Sequence, residues 1–191
     1  MNLIHSYYCR SARWTHRVES TLLPWVLDGV DLGPAALEVG PGYGVTTKVL
    51  AGRTAELTAV ELDPSLARRL ANTFDAGPAA GNVKVVNADA TAMPVNDQDY
   101  SSVLCFTMLH HLPTAEAQDR LFAEAFRVLK PGGVFAGSDS QPSFRLWVYH
   151  IADTMTAVDP ETLPDRLKAA GFSDIDVSAT PRSVRFRARR S

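Results

Sequence analysis

The sequence predicts an α/β protein: a mostly parallel sheet with helices on both faces. Three observations predict it. Leu37 to Lys48 passes from an apolar strand through Gly40, Gly42 and Gly44 into residues at helical spacing. Short apolar runs then alternate with amphipathic stretches, strand then helix, as far as Ser138. That order yields parallel strands joined by right-handed crossovers. Carboxylates recur at three successive strand ends, Glu38, Glu61 and Asp89, on the edge where an open α/β sheet binds its ligand.

Each element can be justified in turn. Tyr7, Tyr8, Trp14, Val18, Leu22, Trp25 and Val26 are spaced as one or two amphipathic helices, with Pro24 bending the second. Asp28-Gly29 and Gly33-Pro34 mark turns. Ala35 to Val39 is the first strand. Leu57 to Glu61 is the second; Asp63 then reads as a helix N-cap with Pro64 at the first helical position. Leu66, Leu70 and Phe74 form that helix's apolar stripe. Val83 to Val86 and Tyr100 to Phe106 are the third and fourth strands. Thr114 caps a helix reaching Leu129, which Lys130-Pro131-Gly132-Gly133 ends. Val134 to Ser138 is the fifth strand.

Beyond it, Phe144, Trp147, Val148, Ile151 and Met155 fall on one helix face. Pro160 to Ala170 is a further helix, and Asp174 to Ala179 and Ser183 to Arg189 are two strands around a Pro181 turn. In the last strand Val184, Phe186 and Ala188 alternate with Arg185, Arg187 and Arg189, as expected of an edge strand protected by charge. The chain is expected to be a single domain over residues 1–191. Its parts are an N-terminal helical layer or lid (1–33), a ligand-binding core (34–139), an insertion (140–158), and a terminal helix with hairpin (159–191).

The glycine spacing narrows the ligand. A dinucleotide loop reads Gly-x-Gly-x-x-Gly; here the pattern is acid-x-Gly-x-Gly-x-Gly, starting at Glu38. Pro41 stiffens the turn by fixing its own φ. Glu61 lies 21 residues after Gly40, where an acid meets a ribose. An ionised carboxylate only accepts, so it takes protons from both ribose hydroxyls, and its charge repels the 2′-phosphate of NADP.

These motifs resemble motif I and the following strand ends of the class I S-adenosylmethionine-dependent methyltransferases. The resemblance covers roughly residues 35–138. It implies a Rossmann-like seven-stranded sheet with an antiparallel last strand, and S-adenosyl-L-methionine as cofactor. It implies cofactor contacts from Glu38, Gly40, Pro41, Gly42, Gly44, Glu61 and Leu62, from Asp89 and Ala90 at the adenine, and from Phe106, with Thr107, at the methionine end. Leu109-His110-His111 is similar to the run in small-molecule methyltransferases of the quinone and sterol type, and Leu129-Lys130-Pro131-Gly132-Gly133 is a further family mark. The resemblance also places the acceptor pocket under the N-terminal helices and the insertion, where Tyr7, Tyr8, Phe144 and Trp147 are the expected substrate-binding residues. His110 and His111 are the expected bases, because imidazole titrates near neutrality.

Composition excludes several classes. With 19 basic and 21 acidic residues, a net charge of -2 and 46% hydrophobic content, no global field favours nucleic acid or an anionic membrane. Two cysteines, Cys9 and Cys105, suggest neither a disulfide framework nor a zinc site. No apolar run reaches membrane-spanning length and no signal peptide is expected, so the reading is a cytoplasmic protein. The fourth strand is not followed by the Asn/Asp-Pro-Pro-aromatic run of enzymes that methylate exocyclic amines of DNA bases. The rival readings are a nicotinamide-dependent oxidoreductase, which lacks the glycine spacing, and a non-enzymatic cofactor- or RNA-binding relative using its arginine strand. A small, partly apolar acceptor is the expected partner.

Overall fold

The computed structural model of the chain describes residues 3–76, 81–142 and 155–191, with backbone alone at residues 3–5. Seven strands pair into one sheet: β1 (Ala35–Val39), β2 (Glu56–Glu61), β3 (Val83–Asn87), β4 (Tyr100–Phe106), β5 (Leu129–Ser140), β6 (Phe172–Ala179) and β7 (Ser183–Arg190). Their order is β3-β2-β1-β4-β5-β7-β6, and only the pairings made by β7 are antiparallel. The chain moves outward from β1 through β2 to β3, then returns to β4 on the other side of β1. The cleft opens at this switch point.

Side-chain alternation gives each face of the sheet its own core. Leu37, Val39, Val103, Cys105 and Phe135 pack on one face with Leu121, Phe122 and Ala125 of α6 (Ala115–Val128) and with Leu163 and Leu167 of α7 (Leu163–Ala169). Ala36, Leu57, Ala59, Leu104 and Ala136 form the other face. It is covered by α4 (Val45–Leu50), by Leu70 and Phe74 of α5 (Pro64–Asp75), and by the N-terminal helices. The latter are α1 (Leu3–Cys9), α2 (Ala12–Arg17), a π-helical turn (Val18–Leu22) and α3 (Leu23–Val26). Val18 and Leu23 are fully buried, so this layer lies on the sheet face rather than at its edge. Pro24 sits in the first turn of α3, directly after the π-helical turn, and the helical backbone continues through it.

Caps follow the sequence closely. Asp63 accepts from the amides of Ser65 and Leu66, and Thr114 from that of Ala117. The fifth strand is longer than expected. It begins at Leu129, which faces Tyr100 across a bulge, and pairs regularly from Ser102↔Val134 to Phe106↔Ser138. The helix expected across 140–160 lies mostly outside the described residues, and residues 155–159 are non-helical.

The last strand corrects an expectation. β7 is not an edge: it is inserted between β5 and β6, because Val184, Phe186 and Ala188 need a fully covered face. Its arginines bond carbonyl oxygens. Arg185 donates to Trp25 O at 2.9 Å, Arg187 to Asp28 O at 3.2 Å and Arg189 to Gly132 O at 3.1 Å. Arg190 gathers the carbonyls of Phe126, Arg127 and Leu129 at 2.6–2.8 Å, a cation at the carboxyl end of α6.

Candidate active site

A cleft of about 810 Å³ opens along the carboxyl ends of the central strands. Its floor is the turn from β1 into α4. Gly40 has a φ of +66°, and a Cβ there would meet Met108 Cγ at 2.3 Å, so only glycine fits. Gly44 serves packing instead. A Cβ there would strike Leu70 Cδ1 at 2.4 Å, so its bareness seats α4 against α5. Gly40 and Pro41 line the cleft, whereas Gly42 and Gly44 lie behind its wall.

Two carboxylates brace the loop. Glu61, at the end of β2, accepts from Gly42 N–H at 2.9 Å on Oε2 and from Asp63 N–H at 3.0 Å on Oε1. Each oxygen keeps a lone pair for a ligand. Glu38 is 1% exposed, and burial pushes its pKa up from 4.5 to about 7. The Thr46 hydroxyl donates to its Oε1, while Oε2 is buried without a partner among the described residues. A buried acceptor left unsatisfied is costly and fits a cationic ligand group close by.

Farther along, Asp89 follows β3. Its Oδ1 accepts from Thr91 N–H at 2.8 Å and from the Thr91 hydroxyl at 2.9 Å. Asp89, Ala90, Leu62 and Phe106 all line the cleft. Thr107, next in line, carries a φ of +49°. That conformation costs a β-branched residue about 1–3 kcal/mol. Its N–H donates to Ser138 O at 2.7 Å, which holds the backbone as it leaves β4.

The turn that follows, Leu109–His111, brings both histidines to the cleft wall. His110 is buried and bonded twice to Asp139: Nδ1 to Oδ1 at 2.5 Å, and its backbone N–H to Oδ2 at 3.1 Å. Asp139 itself is 1% exposed. A carboxylate on Nδ1 fixes the tautomer, so the lone pair resides on Nε2. The rings of His110 and His111 are 4.2 Å apart, centroid to centroid. Burial is also the main reason the Cys105 thiol is raised well above its usual pKa, with Asp139 and Glu38 adding to it.

Across β1 from Glu61 and Asp89 the lining continues with Ser140 at the end of β5, Gln141 after it, and Arg182 and Ser183 at the start of β7; Tyr8, Trp14, Arg17 and Leu22 of the N-terminal layer line the cleft as well. Tyr8 lines the cleft as expected, but Tyr7 does not: it is 80% exposed, because adjacent helical residues point about 100° apart. Phe144 and Trp147 lie outside the described residues. Asp139, Arg17 and Arg182 escaped the sequence reading. The acid at the end of β5 repeats the strand-end pattern of Glu38, Glu61 and Asp89, and that pattern was the available signal. No such signal marked the arginines.

A twisted parallel sheet that gathers carboxylates and a glycine loop at its switch point is the framework of a nucleoside-binding protein. A family model described as a methyltransferase domain matches residues 37–137, more than half of the chain. The chain belongs to that family, the class I S-adenosylmethionine-dependent methyltransferases.

Relatives and structures agree on the fold and differ in what they act on. The chain is 41% identical over 88 residues to ribosomal RNA small subunit methyltransferase A of Bifidobacterium longum subsp. infantis, covering 44% of this chain and 29% of that enzyme. It is 34% identical over 116 residues to sterol methyltransferase-like 1 of Botryococcus braunii, covering 59% of this chain and again 29% of the relative. The chain thus spans under a third of the length of either. The PH0226 protein of Pyrococcus horikoshii OT3 superposes with a TM-score of 0.77 at 16% identity, over 95% of this chain and 93% of that one. An N-methyltransferase of Haemonchus contortus, solved with phosphomonomethylethanolamine and S-adenosylhomocysteine, superposes with a TM-score of 0.72 at 16% identity, over 84% and 49% of the two chains.

Proposed function

We propose that the protein transfers a methyl group from S-adenosylmethionine to a small, partly apolar acceptor by in-line displacement. The observation that carries this is the acidic half of the cleft, which Glu61 and Asp89 line beside a bare-backbone loop, with Glu38 buried behind that loop. When bound, the cofactor supplies an electrophilic methyl group on a sulfonium. In this reading Glu61 accepts from the ribose hydroxyls, Asp89 and the Ala90 N–H meet the adenine, and Gly40 and Pro41 lie beside the methionine tail. Glu38 supplies negative charge beneath the loop for the methionine ammonium, with its unpartnered Oε2 as the fitting group. Gly42 and Gly44 act indirectly, through Glu61 and through the seating of α4.

His110 is the general base for an acceptor that must lose a proton. Asp139 holds its ring and stabilises the imidazolium that forms, so that Nε2 takes the acceptor's proton. His111, tilted against it, shapes the wall. Phe106, Met108, Leu112, Trp14 and Tyr8 keep water from the reacting atoms and align the acceptor; orientation of this kind is worth roughly 7–11 kcal/mol.

An RNA acceptor is the second reading, favoured by the ribosomal RNA methyltransferase relatives. Against it, the arginines of β7 are engaged on backbone carbonyls. One experiment tests both: radiolabelled methyl donor offered to a metabolite library and, in parallel, to unmodified small-subunit ribosomal RNA. Label in an apolar small molecule is the expected result; label in RNA alone overturns the proposal.

A further inference from the structure

We propose that the end of the cleft formed by Arg17, Arg182 and Gln141 is a subsite for an anionic group, carboxylate or phosphate, carried by the methyl acceptor. This deepens the methyl-transfer reading and rests on it. Arg17 is the last residue of α2, and Arg182 lies in the turn before β7; both side chains line the cleft. Neither side chain makes a hydrogen bond, ion pair or ring contact among the described residues. Several exposed arginines are likewise without a partner among the described residues, but of those only Arg17 and Arg182 line the cleft; Arg127 is committed to Glu124 and Asp97, Arg166 to Asp119, and Arg185 and Arg187 to Asp176.

Two guanidinium groups without counter-ions among the described residues, facing one cavity, are the donor set that matches a planar or tetrahedral oxyanion. Gln141 adds a third donor. Its Nε2 is buried without a partner among the described residues, and its backbone N–H donates to Arg182 O at 3.0 Å, which ties the two residues together.

The backbones carrying these groups are fixed in advance. Thr180 Oγ1 accepts from the amides of Arg182 and Ser183 at 3.3 and 3.1 Å, closing the turn. Arg17 is followed by the fully buried Val18. Among the described residues no competing carboxylate is available at this end: Glu61, Asp63 and Asp89 line the other, and Asp139 is engaged by His110. The apolar lining of the cleft includes Trp14, Leu22, Met108 and Leu112. The acceptor that fits has an apolar body and an anionic end.

The test is calorimetric titration of the protein loaded with S-adenosylhomocysteine, using benzoate, phenyl phosphate and the neutral benzyl alcohol as probes. The two anions are expected to bind at least about 10-fold more tightly than the alcohol, one charged hydrogen bond's worth or more. R17Q and R182Q should each remove about 10-fold of the anion affinity, leave benzyl alcohol unchanged, and leave S-adenosylhomocysteine binding intact as the check on folding. Equal affinity for benzoate and benzyl alcohol, or anion binding indifferent to both substitutions, overturns the subsite. So does a result in which only a ribosomal RNA fragment binds and loses affinity in the double variant. Intact S-adenosylhomocysteine binding beside any of these failures leaves the methyl-transfer reading standing. Failure of the unsubstituted protein to bind S-adenosylhomocysteine sinks both.

Discussion

At one end of the cleft the polar groups are carboxylates held by backbone amides; at the other they are guanidinium groups on solvated side chains. The acidic end comes from consecutive strand–turn–helix units, so each carboxylate sits within a few residues of the loop it serves. Glu61 takes its two bonds from Gly42 and Asp63. The basic end is assembled from the N-terminal layer, the end of β5 and the start of β7, segments that span most of the chain from Arg17 to Arg182. In the proposed reading, the difference assigns the cofactor, a cation with a nucleoside, to the end held by backbone amides, and the choice of acceptor to the other.

The largest effect is expected where the two ends meet. His110→Ala and Asp139→Asn should each lower kcat for a hydroxyl or amine acceptor by about 10²–10⁴, the range for loss of a positioned base, with cofactor affinity little changed. The double variant should be no worse than either single one, because the pair acts as a unit. Unaltered kcat in both single variants would remove the base and leave alignment alone.

Next in size is Glu61→Gln. The amide puts N–H donors where Gly42 and Asp63 already donate, and it weakens the acceptor offered to the ribose. Calorimetry should show S-adenosylmethionine affinity lower by about 100-fold. A change below about 5-fold would mean that the acidic end does not grip the ribose.

Glu38 separates stability from binding. Its folded pKa, about 7, lies above its unfolded value of 4.5, so the folded state keeps the proton longer. The protein without ligand is therefore most stable below pH 4.5 with respect to this group, and loses about 3 kcal/mol as pH rises through 7, the loss being complete about one pH unit higher. Glu38→Gln should abolish that slope and stabilise the ligand-free protein at pH 8, measured by urea unfolding. The same variant should bind S-adenosylmethionine about 10-fold more weakly at pH 8. In the unsubstituted protein, binding should tighten from pH 5 to 7, because the charged carboxylate is the form that meets an ammonium.

The contrast between the two ends also explains what could be read from the sequence. Glu38, Glu61 and Asp89 were legible because a parallel α/β sheet places every strand's carboxyl end on one edge, so position along the chain gives position in space. Asp139 obeys the same rule, but its partner His110 is 29 residues away, and their meeting depends on the register that sets Phe106 against Ser138. The edge assignment of β7 failed for a related reason. Alternation of Val184, Phe186 and Ala188 with arginines reports one buried face, yet it does not say whether both backbone edges are paired. Arg17 and Arg182 carry no local pattern; only the insertion of β7 beside β5 brings Arg182 to the cleft.

Tyr43 ties the glycine loop to the N-terminal layer, and it should give the smallest effect. Its hydroxyl bonds Ser6 of α1, and its ring takes the guanidinium groups of Arg10 and Arg69 at 5.8 and 5.4 Å. Tyr43→Phe keeps the ring and both cation–π contacts and removes a half-exposed hydrogen bond, worth about 0.5–1.5 kcal/mol. That loss falls on the seating of α1 against the loop rather than on any contact with the ligand. Stopped-flow measurement should therefore show S-adenosylhomocysteine dissociating about 2–10-fold faster, with association also accelerated, so that Kd moves less than either rate. A variant that weakens Kd by slower association alone would show that the hydroxyl shapes the loop itself, and the N-terminal layer would then belong to the acceptor's end of the cleft only.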